Sequence, residues 1–131
     1  MYNSPSEQYV KAGSEKVTTQ DVEKVVEHAD EIRQQFTTRG PLKRFVDDSK
    51  TLVALIKDYR AGNYRTALYG TIAAVVFALI YVFNPLDLIP DVLPFVGAVD
   101  DASVIAACLM LVERDLLKYK SWKVNTPDSQ T

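Results

Sequence analysis

From Thr18 onward, apolar side chains recur every three or four positions, at Val22, Val25, Val26, Ala29, Ile32 and Phe36. That is the period of a helix burying one face. Thr18 or Thr19, with Asp21 close behind, supplies its start signal, and the pattern predicts an amphipathic helix ending before Gly40. Pro41 suits a first helical position. The stripe then returns through Leu42, Phe45, Val46, Leu52, Val53, Leu55, Ile56 and Tyr59, until Gly62 and Asn63 stop it. From Ala67 to Phe83 (ALYGTIAAVVFALIYVF) polarity disappears from every face. A helix with no polar side must be covered all round, by protein or by lipid.

The next segment, Asn84 to Asp101 (NPLDLIPDVLPFVGAVDD), places Pro85, Pro90 and Pro94 too close together for a continuous helix. It predicts short turns joined by bends. A last helix is expected from Ala102 through Val112 (ASVIAACLMLV) and on into ERDLLKYKSWK, ending near Trp122. Residues 1–17 and 124–131 show no period and are expected to be mobile tails. No alternating apolar pattern argues for a sheet. The expected fold is therefore all-α with about four helices. Residues 18–63 give two amphipathic helices, and residues 64–123 give an apolar helical hairpin with a Pro/Asp-rich connection.

Charge sharpens this picture. The 131 residues carry a net charge of −2 and 47% apolar residues, which fits one folded domain and excludes a disordered chain. No basic stripe interleaved with aromatics appears, so nucleic acid is not an expected partner. The average hides an asymmetry: residues 1–66 hold 11 Lys/Arg and 10 Asp/Glu, whereas residues 67–112 hold four Asp and no Lys or Arg. Met1 to Ser14 lacks both a basic start and an apolar core, so no cleavable signal peptide is expected there.

Within this window the run Tyr81, Asn84-Pro85-Leu86-Asp87-Leu88-Ile89-Pro90-Asp91, Pro94, Gly97 and Asp100-Asp101 resembles the YkvA-like family of bacterial domains of unknown function. The lead-in Asp58-Tyr59-Arg60-Ala61-Gly62-Asn63-Tyr64-Arg65 is similar to that family's usual one, and the resemblance covers roughly residues 52–122. It implies an all-helical domain, frequently assigned to membranes because of its hydrophobic hairpin, with no established reaction.

The charge distribution argues for a membrane on its own terms. Lys57, Arg60 and Arg65 precede the apolar window, and Arg114, Lys118, Lys120 and Lys123 follow it. Under the positive-inside rule this places both termini in the cytoplasm and the aspartate-rich connection on the far side or within the bilayer. Tyr64, Tyr69, Tyr81, Phe83, Tyr119 and Trp122 are candidate interfacial anchors. Against a spanning hairpin stand the short apolar run of the last helix and the cost of Asp100 and Asp101 at bilayer depth. A re-entrant or shallow hairpin would relieve that cost. The alternative is a cytoplasmic helical bundle in which Ala67 to Phe83 is the central helix, wrapped by the two amphipathic ones.

Four carboxylates, Asp87, Asp91, Asp100 and Asp101, are the one constellation that could carry chemistry. Oxygen ligands suit a hard divalent cation, or the group could relay protons. Each Asp also stands where a helix would begin, so capping is the competing explanation. His28 reads as solvated, Cys108 as a buried core thiol, and Ser103 has no evident base. These observations favour a non-enzymatic, membrane-associated scaffold or adaptor contacting lipid. A cation or proton site on the aspartates and a helical interaction module, with a protein partner or a second copy, are the alternatives.

Overall fold

Thr18 and Asp21 close the capping box that the sequence anticipates: the Asp21 N–H donates to Thr18 Oγ1 (3.3 Å) and the Thr18 N–H donates to Asp21 Oδ2 (2.9 Å). In the computed structural model, which describes residues 5–84 and 100–125, this box opens the second of six α-helices. They are α1 (Pro5–Ser14), α2 (Thr19–Glu27), α3 (Ala29–Thr38), α4 (Val46–Ala61), α5 (Tyr69–Phe83) and α6 (Asp101–Val124). A 3₁₀ segment, Gly40–Phe45, joins α3 to α4 with Pro41 in its first turn. No strand occurs among the described residues, so the all-α expectation holds.

Among the described residues the helix count exceeds the expected number of about four for two reasons. The amphipathic stretch after Thr18 breaks at His28 (φ −110°, ψ 24°), dividing it into α2 and α3. The His28 ring stacks on Phe83 of α5, with centroids 4.9 Å apart, and its Nδ1 lies 2.7 Å from Glu31 Oε1. The residue read as solvated is thus a half-buried joint. The apolar stripe survives the break, because Val22, Val25, Ala29, Ile32 and Phe36 are all buried.

The second reason is α1. Residues 1–17 were expected to be a tail, yet Pro5–Ser14 is a helix that buries Tyr9, Val10 and Gly13 and packs against α5 and α6. Gly13 lies so close to α5 that a Cβ there would enter the Phe77 ring. Tyr9 meets Phe77 and Tyr81 edge to face, with centroids 5.3 and 5.8 Å apart. At the other end of the chain, α6 runs two residues past Trp122.

The centre of the fold is α5. Every residue from Ile72 to Val82 is buried, against contacts from α1, α2, α3, α4 and α6. The enclosing material is therefore protein. Among the described residues no helix is long and apolar enough to cross a membrane, so the expected spanning hairpin finds no helix there to carry it. Of the residues expected as interfacial anchors, Tyr64, Tyr81 and Tyr119 are buried, whereas Tyr69 remains half exposed.

Helix ends are fixed by local chemistry and by neighbours. Gly62 ends α4 in the left-handed region (φ 88°), the conformation a glycine adopts without a Cβ penalty. The first turn of α5 has no cap of its own. Asp115 of α6 serves it instead, accepting from the Leu68 N–H (3.2 Å) and the Thr71 hydroxyl (2.5 Å). A carboxylate at this end also complements the helix dipole.

Candidate functional site

Two polar clusters stand out from this apolar frame, one at each end of α6. The first is built where α6 begins. Asp100 is extended (φ −103°, ψ 173°), and its Oδ1 accepts from the Ser103 N–H at 2.7 Å, which makes it the N-cap. That N–H holds the Asp100 carboxyl below its ordinary value of 3.8. Asp101 forms an ion pair with Arg39, whose Nη1 also donates to the Val82 carbonyl of α5 at 3.0 Å. One guanidinium therefore fastens the end of α5 to the start of α6. Arg39, Pro41, Leu42, Tyr81, Asp100, Asp101 and Ala102 line a cleft of about 380 Å³ at this corner.

Asp100 and Asp101 are thus engaged in a cap and an ion pair, as the capping explanation requires of Asp100. The other two members of the expected cation site, Asp87 and Asp91, lie outside the described residues, as do the turns expected over 85–99. Among the described residues no group of three or more His, Cys, Asp or Glu side chains could hold a metal ion.

The second cluster joins the carboxyl-terminal ends of α4 and α6. Asp58 is 6% exposed, and its Oδ2 accepts from the Tyr119 hydroxyl (2.6 Å) and from Lys123 Nζ (2.9 Å). Its Oδ1 accepts from Asn63 Nδ2 (3.2 Å). The Asp58 carbonyl accepts from the Asn63 and Tyr64 N–H groups, turning the chain out of α4. Burial alone would raise the Asp58 pKa, but the donors from Tyr119, Lys123 and Asn63 outweigh it and hold the carboxyl below 3.8. The same burial, with Asp58 beside it, pushes the Tyr119 phenol up. Around this knot Tyr64, Tyr119 and Trp122 pack ring against ring, with Tyr64 centroids 5.1 Å from Tyr119 and 4.9 Å from Trp122.

The sequence places Asp58 and Asn63 in its lead-in motif but gives no sign of what they meet, since Tyr119 and Lys123 lie 61 and 65 positions away. Lys123, read as a flanking charge, is the counter-ion of a buried carboxylate. Cys108 is core, as expected: it is fully buried and burial pushes its thiol up to about 12. Arg60, read as a flanking charge before the apolar window, forms a two-point ion pair with Glu23 of α2 (2.7 and 2.8 Å).

The first corner partly overlaps what this chain shares with other proteins: Tyr81, Asp100, Asp101 and Ala102 fall within the matched residues, whereas Arg39, Pro41 and Leu42 lie outside them. Residues 71–107, from the first turn of α5 through the connection into α6, match a family described as Protein of unknown function (DUF1232). Over 82 residues the chain is 30% identical to the uncharacterized membrane protein YkvA of Bacillus subtilis (strain 168), covering 63% of this chain and 77% of that protein. No solved structure gives a significant match. The Pro/Asp connection lies within residues 71–107, and with this identity and coverage the chain belongs to the YkvA-like family.

Proposed function

We propose that the protein is a non-catalytic, membrane-associated helical scaffold that touches lipid through residues 85–99 rather than by sinking α5 into the bilayer. The enclosure of α5 carries this reading: its apolar faces are occupied by the chain's own helices. The connecting sequence supplies a separate apolar set, Leu86, Leu88, Ile89, Val92, Leu93, Phe95, Val96 and Val99, in a stretch without Lys or Arg. Both ends of that sequence are held at one corner of the bundle by Arg39, which also brings the 3₁₀ segment and its exposed Lys43 and Arg44 alongside. Basic side chains at an anionic surface contribute about 1 kcal/mol each. The relative's designation as a membrane protein supports the association.

A scaffold rather than an enzyme is favoured by the state of the polar groups. Asp58 spends its acceptor capacity on Tyr119, Lys123 and Asn63, and the Cys108 thiol is sealed in the core. The test is co-sedimentation of the purified full chain with phosphatidylglycerol/phosphatidylcholine vesicles, paired with carbonate extraction of membranes from expressing cells. Binding that weakens with salt, is lost in Leu93→Asp/Phe95→Asp and is released by carbonate supports the proposal. Failure of the wild-type chain to sediment, or equal sedimentation of the double variant, overturns it. Retention through carbonate would return the spanning hairpin in its place.

A further inference from the structure

A groove of about 320 Å³ separates α3 from α4, with Asp30, Arg33, Gln34 and Thr37 along one wall and Ser49 and Lys50 along the other. Its hydroxyl groups are already committed to backbone. Buried Ser49 donates to the Val46 carbonyl (2.6 Å), and Thr37 donates to the Gln34 carbonyl (2.8 Å). The donors that remain are those of Arg33, Gln34 and Lys50. Among the described residues neither the Lys50 ammonium nor the Gln34 side-chain amide has a hydrogen-bond or ion-pair partner.

Arg33 is the least settled of the three. Its Nε is buried without an acceptor, an arrangement that folded proteins rarely keep and that marks a place where an acceptor belongs. Its Nη1 lies 3.9 Å from Asp30 Oδ1, beyond hydrogen-bond reach. The Asp30 side chain is 95% exposed, so this pair holds the guanidinium weakly. The Arg33 side chain as a whole is 42% exposed, which leaves its terminal nitrogens open to the groove. Two cations thus stand against one carboxylate in the lining, and the acidic residues of the first turn of α4, Asp47 and Asp48, are not part of it.

The placement of the donors says what kind of acceptor fits. Arg33 and Gln34 belong to one wall and Lys50 to the other. A planar carboxylate presents its two oxygens to a single fork, whereas a tetrahedral phosphate can meet a guanidinium with two oxygens and turn a third toward the opposite wall. The guanidinium fork matches phosphate in two-point fashion, and a lysine adds a point charge. We infer that the α3–α4 groove is a binding site for a phosphate group, held between Arg33 and Lys50 with the Gln34 amide as a neutral donor. Asp30 competes for the same guanidinium and tempers the affinity. Free phosphate and a phospholipid headgroup offer the same chemistry, and the site stands independently of lipid contact through residues 85–99.

Nuclear magnetic resonance titration of the isotopically labelled full chain with inorganic phosphate, at an ionic strength fixed with sodium chloride, tests it. Saturable shifts at Arg33, Gln34 and Lys50 are expected, with a Kd on the order of 1 mM. Arg33→Met, which keeps the apolar stem, and Lys50→Gln should each weaken binding about tenfold, and Asp30→Asn should strengthen it about threefold. Circular dichroism of each variant checks that the fold is kept. Shifts that never saturate, or a titration of Arg33→Met that matches the wild-type chain, overturn the inference, and no vesicle enters this arm, so a failure of the connection to touch lipid leaves it unaffected. A second arm separates the sources, using glycerophosphoglycerol, the soluble diester headgroup of phosphatidylglycerol, and phosphatidylglycerol/phosphatidylcholine vesicles. Diester binding, with vesicle sedimentation reduced in Arg33→Met, supports the site as a headgroup pocket. Binding of inorganic phosphate but not of the diester supports it as a site for free phosphate.

Discussion

Tyr119 donates its hydroxyl to Asp58 at 2.6 Å, in a contact that spans 61 positions of sequence and joins the last turns of α4 and α6. Both residues are buried. The pair also organises its surroundings, because Lys123 and Asn63 converge on the same carboxylate.

Removing the hydroxyl in Tyr119→Phe leaves Asp58 with two side-chain donors and takes away a hydrogen bond to a charged group. The expected cost is about 1.5–3 kcal/mol. Asp58→Ala is expected to cost more, because it strands both Tyr119 and Lys123. Urea unfolding of the two variants beside the wild-type chain measures both effects, and Tyr119→Phe at wild-type stability would remove the knot from the account of the fold.

The same carboxylate predicts a pH dependence. Its pKa in the folded chain lies below the ordinary 3.8, so the unfolded chain takes up the proton first as pH falls. The stability contributed by ionised Asp58 is complete above that ordinary value and drains away as pH falls toward the folded one. Thermal melts of the wild-type chain should steepen their loss below about pH 4. In Asp58→Asn the melting temperature starts lower and this portion of the slope is absent.

Gly13→Ala should destabilise the chain by about 1–3 kcal/mol, since its methyl group would occupy space that the Phe77 ring fills. Trimming the ring in Gly13→Ala/Phe77→Leu should recover part of the loss, as thermal melts would reveal. Recovery is the diagnostic outcome, because an effect of helix propensity alone would have the opposite sign.

Cys108 should resist alkylation in the native protein. Its sulfur is fully buried and its thiol is pushed up to about 12, so both access and thiolate are lacking at neutral pH. Iodoacetamide labelling followed by mass spectrometry should proceed on the order of a thousandfold faster in urea than in buffer. Equal rates would mean that the α5–α6 interface opens freely.

Arg39→Met should lower stability by about 1 kcal/mol and loosen the corner where α6 begins. It removes both the Asp101 ion pair and the bond to the Val82 carbonyl. Hydrogen exchange should report faster opening of the first turn of α6, with the Asp58 end unaffected.

How much of this was legible in the sequence depends on the range of each interaction. The stripe from Val22 to Phe36, the stop at Gly62 and the total burial of α5 follow from local periodicity, and all are present. Asp100 as a cap is likewise a local matter. The helix α1 escaped because only Tyr9 and Val10 supply its apolar contact, and the rest depends on Gly13 lacking a side chain, which no hydrophobic pattern registers. The break at His28 depends on Phe83, 55 positions later. Nothing in the Asp58 motif announces Tyr119, which looked equally suited to a membrane interface. Residues whose meaning is set by a partner far along the chain were the ones misjudged.

The docking of α1 bears on where the chain can be shortened. A boundary chosen at Thr18, where the regular pattern starts, would strip the covering from Phe77 and Tyr81 and leave part of α5 bare. Such a fragment would behave as a sticky, aggregation-prone protein, and its attachment to membranes would report the missing residues rather than the native molecule. A protease that removes the first seventeen positions would have the same effect inside a cell.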